Sequence, residues 1–131
     1  MNLVTWKFKN KQLLDSKLIH SLLHAIVGLV HGIKSQRNLK IIFAFTLIVG
    51  IMILTFKFSF VEIFLLIYSV FCVIITELIN TSIELVVDLI TKEKRLRAML
   101  AKDVAAAATL IAVIQSIVIA VIIILHRLNI V

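Results

Sequence analysis

Proline is absent from this 131-residue chain, glycine occurs three times and cysteine once. A membrane-spanning barrel needs short alternating strands separated by turn residues, and a chain with no proline and so little glycine supplies few turns. Long helices are the expected alternative. A single cysteine excludes an internal disulfide and any cysteine-based metal site, and Cys72 stands in an apolar run where it reads as packing. Acid is scarce as well: seven Asp and Glu face fourteen Lys and Arg, for a formal net charge of +7. No DNA- or RNA-binding motif accompanies that excess, so no nucleic-acid partner is expected. Lys and Arg also collect in the cytoplasmic loops of membrane proteins, where anionic headgroups favour them. The segment MNLVTWKFKNKQLLD has no apolar core followed by a small-residue cleavage site, so no signal peptide is expected.

Apolar surface is what the chain has in abundance: 62% of its residues are hydrophobic, with a mean hydropathy of +1.15. A soluble domain of this size requires a polar coat that such a composition cannot provide. The pattern predicts an all-α integral membrane protein forming one domain over 1–131. Residues 1–38 read as a basic tail, to residue 12, with Trp6 and Phe8 as interface anchors, followed by an amphipathic helix over roughly 13–34. Lys17, His20, His24, His31 and Lys34 share one face of that helix. A broad apolar face with a basic strip suits the membrane interface plane, and the helix looks too interrupted to span. Spanning helices are expected at 39–56, 60–90 and 104–125, with a charged connector at 91–103. Basic residues crowd the first forty positions and the connector. The positive-inside rule therefore places both, and the N-terminus, on the cytoplasmic side.

Within the second span, Glu77, Asn80, Glu84 and Asp88 are spaced three, four and four residues apart. At ~100° per residue all four fall within ~80° of helix surface, forming one polar stripe. Carboxylates on a helix of Ile, Val and Leu cost several kcal/mol unless each finds a partner or water. Counted from Phe60, Glu77 lies ~25 Å along the helix, near the inner edge of the hydrocarbon, and Glu84 and Asp88 reach the headgroup zone. The stripe thus links the depth of a lipid headgroup to that of a soluble ligand, as a kinase acting on a lipid would need. Two other readings fit the spacing: structural salt bridges to the basic connector, and a small cation-coupled transporter.

The run ELINTSIELVVD (77–88), followed by AKDVAAAA (101–108), resembles the bacterial diacylglycerol kinases and their Gram-positive relatives, the undecaprenol kinases. Their characteristic pattern is E-x-x-N-[ST]-[AS]-I-E-x-x-x-D, then K-D and small residues after a polar connector. The likeness extends over nearly the whole chain, and KDVAAAA and QRNLKI look closer to the undecaprenol branch. The resemblance implies a multi-pass homotrimer of the bacterial inner or plasma membrane with sites shared between subunits. It implies transfer of the ATP γ-phosphoryl group, with Mg²⁺, to the hydroxyl of a membrane lipid alcohol, undecaprenol first and diacylglycerol as the alternative. By position, Glu77 would be the general base at the lipid hydroxyl, and Glu84 a metal ligand at the ATP phosphates. Asn80 and Asp88 would organise the site. Lys102 and Asp103, with Glu93, Lys94 and Arg95, would hold the nucleotide, and Lys17 and His24 would face it from the first helix. These parts match what phosphoryl transfer needs, namely charge stabilisation and an oriented nucleophile. No GxxxxGK[ST] loop is present.

One departure stands out. Where the resemblance places a second metal-binding Glu, this chain has Gln36. An amide oxygen can coordinate Mg²⁺ but adds no negative charge. Gln36 therefore keeps open an attenuated kinase, or a non-catalytic relative acting as a membrane scaffold. The HxxxH spacing of His20 and His24 lacks acids nearby and reads as a polar strip rather than a metal site. Glu62 is expected to be solvated at the outer end of its span, and Gln115 and Ser116 to form interhelical hydrogen bonds. Ala105 to Ala108 read as close-packing residues.

Overall fold

The structure, a computed structural model, describes residues 3–93 and 95–130, with side chains from Lys17 onward. Four helices follow one another: α1 (Leu3–Ser35), α2 (Arg37–Thr55), α3 (Phe60–Ile90) and α4 (Leu96–Arg127). All four contain a segment long and apolar enough to cross a membrane by length and composition, and the Lys17–Ser35 segment of α1 is the least apolar of them. The expectation that the first helix is too interrupted to span is therefore not supported by length and composition alone. The chain divides into two compact units, α1 and the segment from Gln36 onward.

Two boundaries differ from the sequence reading. The expected basic tail over 1–12 is helical from Leu3, because nothing in that stretch breaks a helix and Leu, Lys and Gln favour one. The charged connector shrinks to 91–95, and α4 begins at Leu96. Arg97, Ala98, Met99, Leu100, Ala101 and Lys102 are all strong helix formers, so charge there marks exit from the apolar layer rather than the end of the helix. At ~1.5 Å rise per residue, the 31 residues of α3 and the 32 of α4 make rods of ~45 Å or more, longer than a hydrocarbon core of ~30 Å.

In the second unit α3 is the central element, packing mainly on α4 and less extensively on α2. Its start is set by a capping box: Ser59 N–H donates to Glu62 Oε2 at 2.6 Å, and Glu62 N–H donates to Ser59 Oγ at 3.3 Å. Ser59 thus satisfies a backbone donor that the first turn would otherwise leave open. The helix ends at Thr91, whose extended backbone leads into a short turn in which Glu93 N–H donates to Thr91 Oγ1. Three contacts fix the antiparallel register of α3 and α4. Glu62 pairs with Arg127 at one end, Ser116 Oγ donates to Ser69 Oγ at 3.2 Å in the middle, and Asp88 pairs with Lys102 at the other end. Ala105, Ala112 and Ile123 are buried on α4, and the first two are small enough to let the helices approach closely.

Glu62 is not solvated as expected. Only 14% of its side chain is exposed, and both its oxygens engage Arg127, Oε1 from Nε at 3.1 Å and Oε2 from Nη2 at 3.2 Å. The same guanidinium donates to the carbonyl of Lys57 and lies 4.3 Å over the Phe58 ring. The partners are 65 positions apart in the chain, so local sequence gave no sign of them.

Candidate functional site

The ladder occupies the last four turns of α3, and its rungs have different surroundings. Glu77 is 2% exposed and Asn80 5%, although both are polar, and Thr81 beside them is 6% exposed. Glu84 is half-buried and Asp88 is exposed. The gradient follows from the fold: α3 passes out of its packed interface toward the connector, so each later rung has fewer neighbours.

Asn80 Nδ2 donates to Glu84 Oε1 at 3.2 Å, the i to i+4 contact that helical spacing brings together. Asp88 accepts from Lys102 Nζ at 2.5 Å. That rung therefore fits the salt-bridge reading. Glu77 and Glu84 have no cationic partner among the described residues. A buried carboxylate without a partner is expensive in apolar surroundings, and such positions mark functional sites more often than structural ones.

The remaining expected site residues divide clearly. Arg95 Nε and Nη2 both donate to Glu93 Oε2, at 3.0 and 2.9 Å, so these two connector residues bind each other. Lys94 lies outside the described residues. Asp103 is exposed at the first turns of α4, one position from Lys102. Gln36 is half-buried and occupies the N-cap of α2, but its side chain makes no capping bond. Lys17 and His24, together with His20 and His31, are exposed on α1, which belongs to the other compact unit. Ser116 makes the interhelical bond expected of it, whereas Gln115 is exposed.

Among the described residues no three His, Cys, Asp or Glu side chains converge to cage a metal ion. The donor set that exists is Glu84 with Asn80 and Glu77 close by on the same stripe. These are hard oxygen ligands. Such a set fits an ion held by one or two carboxylates plus a substrate's phosphates, the usual manner of Mg²⁺. Toward the other end of α3, an apolar crevice of about 280 Å³ opens between α2, α3 and α4, lined by Phe45, Thr46, Val70, Val73 and Ser116 among others. Val73 lies one helical turn from Glu77, so the crevice leads to the buried end of the ladder.

Taken together, the site is a stripe whose buried end adjoins an apolar crevice and whose exposed end is coupled to a basic, solvent-facing helix start. In comparison with known proteins, residues 23–124 match the family model for prokaryotic diacylglycerol kinase. No curated protein matches the chain.

Proposed function

The chain belongs to the prokaryotic diacylglycerol kinase family, a family of lipid kinases, and from that premise we propose that it phosphorylates undecaprenol, with Glu77 as the general base. The observation that carries the site assignment is the buried, unpaired carboxylate of Glu77 at the end of the stripe nearest the apolar crevice. The crevice takes the apolar chain of the acceptor and leaves its hydroxyl at the level of Glu77. There the carboxylate accepts the hydroxyl proton as the oxygen attacks the γ-phosphorus of ATP.

Two turns further on, Glu84 faces the phosphates, held in orientation by the Asn80 amide. Mg²⁺, when bound, offsets the charge of the phosphate oxygens, and Glu84, with Gln36 as a neutral second donor, holds it. Lys102 carries its positive charge to the same end of α3, and Asp88 keeps that ammonium from swinging into solvent. Asp103, Glu93, Lys94 and Arg95 contribute to the nucleotide's binding surface. The basic connector and the start of α1 are cytoplasmic, which places the ladder's exposed end where ATP is available. Taken by itself, the Lys and His strip of α1 suits headgroups better than hydrocarbon, as in an interfacial helix. The many exposed apolar side chains of α2 to α4 face lipid and two further copies in a homotrimer.

The preference for undecaprenol over diacylglycerol rests on the KDVAAAA and QRNLKI segments. It is tested by radiolabelled phosphate transfer in mixed micelles offering each lipid separately. Undecaprenol is expected to be the better acceptor. A preference for diacylglycerol overturns the substrate assignment, and transfer to neither, even with Gln36→Glu, favours a scaffold role.

A further inference from the structure

Ten described helical Ser and Thr side chains show how this protein deals with hydroxyls in apolar surroundings, and one of them, Ser116, donates across to Ser69. Ser21, Ser35, Thr46, Thr55, Thr76 and Ser82 donate to the carbonyl four residues earlier, and Ser69 to the one three residues earlier. Thr81 and Thr109 do not. Their Oγ1 atoms are fully buried and have no hydrogen-bond partner among the described residues, and the one other such atom is Asn80 Oδ1. The inventory is complementary, because an amide oxygen accepts two hydrogen bonds and each hydroxyl donates one.

The register brings these atoms to one level. Counted seven residues along α4 from Ser116, which touches Ser69, Thr109 falls opposite Thr76. Counted seven the other way from Lys102, which touches Asp88, it falls opposite Thr81. Thr109 therefore faces the turn of α3 that carries Glu77 and Asn80. It also belongs to the face of α4 that includes the buried Ala105 and Ala112 and the bonded Ser116. Thr76, the other hydroxyl on that turn, is already bonded within its own helix.

We propose that Thr109 is a positioning residue for the ladder: its hydroxyl, with that of Thr81, binds Asn80 Oδ1 through one buried water molecule. The direct contact is not made, and a water with several polar neighbours is the ordinary way for a protein to satisfy such atoms. The consequence is orientation. With Oδ1 held from the α4 side, the Asn80 amide nitrogen is kept pointing at Glu84 Oε1, where it donates at 3.2 Å. Without Thr109 the amide can rotate, and Glu84 loses the bond that aims its carboxylate.

The test rests on the kinase reading only for its second readout. In the first, full-length protein in micelles is selectively labelled and the Asn80 side-chain amide resonances are followed by NMR. Thr109→Val, which keeps the shape and removes the hydroxyl, is expected to shift and broaden them. Thr109→Ser is expected to leave them near the wild-type positions, and Ser116→Ala, elsewhere in the same interface, to leave them unmoved. In the second, the Mg²⁺ concentration for half-maximal phosphate transfer is expected to rise about fivefold in Thr109→Val, roughly the equilibrium equivalent of one hydrogen bond, and to return within about twofold in Thr109→Ser. Unchanged Asn80 resonances in Thr109→Val overturn the proposal whether or not the protein transfers phosphate. Equal impairment of the Val and Ser variants overturns it too, since the hydroxyl would then not be the operative group. A wild type without transfer activity, showing the expected NMR shifts, refutes the kinase reading and leaves the Thr109 contact standing.

Discussion

Lys102 Nζ lies 2.5 Å from Asp88 Oδ1, so the last rung of the α3 ladder is tied to the second turn of α4 across the loop that joins them. The two side chains are 35% and 61% exposed, and a pair so open to solvent contributes less than about 1 kcal/mol to stability. Its value is placement of the ammonium beside the ladder. Lys102→Met is therefore expected to leave thermal unfolding in micelles nearly unchanged while raising the KM for ATP by about tenfold or more, the loss of one charge-assisted contact to phosphate. A fall in stability with an unaltered KM would assign Lys102 a structural role instead.

The other end of the molecule should behave in the opposite way. Arg127 joins the Glu62 carboxylate, the Lys57 carbonyl and the Phe58 ring, closing the end of α4 over the start of α3. Arg127→Ala leaves the Glu62 carboxylate without its donor, and a loss of stability is expected. Unfolding in micelles measures it. The KM for ATP of the folded fraction should match wild type, because no ladder residue contacts this cluster.

Gln36 offers a gain rather than a loss. It caps the N-terminus of α2 without a side-chain bond, and a carboxylate there interacts favourably with the helix dipole by about 0.3–1 kcal/mol. Gln36→Glu is expected to fold at least as well as wild type and to reach half-maximal transfer at a lower Mg²⁺ concentration, read from a metal titration of activity. A metal dependence identical to wild type would mean that position 36 does not face the metal.

Much of this architecture was legible in the sequence because its signals are local. The apolar runs gave α2, α3 and most of α4, and the three-four-four spacing gave the ladder stripe. The Ser59-x-x-Glu62 capping box is an equally local signal. The helix α4 also extends back through the charged stretch read as a connector, because Arg97, Ala98, Met99, Leu100, Ala101 and Lys102 favour helix. What sequence could not supply were contacts between distant positions. Glu62 with Arg127, Ser69 with Ser116 and Asp88 with Lys102 depend on the antiparallel register of two helices, which no local pattern encodes. The burial gradient along the ladder has the same origin: spacing placed four polar residues on one stripe but did not say that Glu77 is covered and Asp88 open.

The central claim is that the covered carboxylate of Glu77 takes the proton of the lipid hydroxyl. Glu77→Gln preserves shape and removes the base, and single-turnover phosphate transfer to undecaprenol in mixed micelles isolates the chemical step. A general base contributes roughly 10²- to 10⁴-fold to such a step. The rate should fall by at least about 100-fold in this variant, with ATP binding kept within about twofold of wild type. Transfer by Glu77→Gln at the wild-type rate would contradict the account.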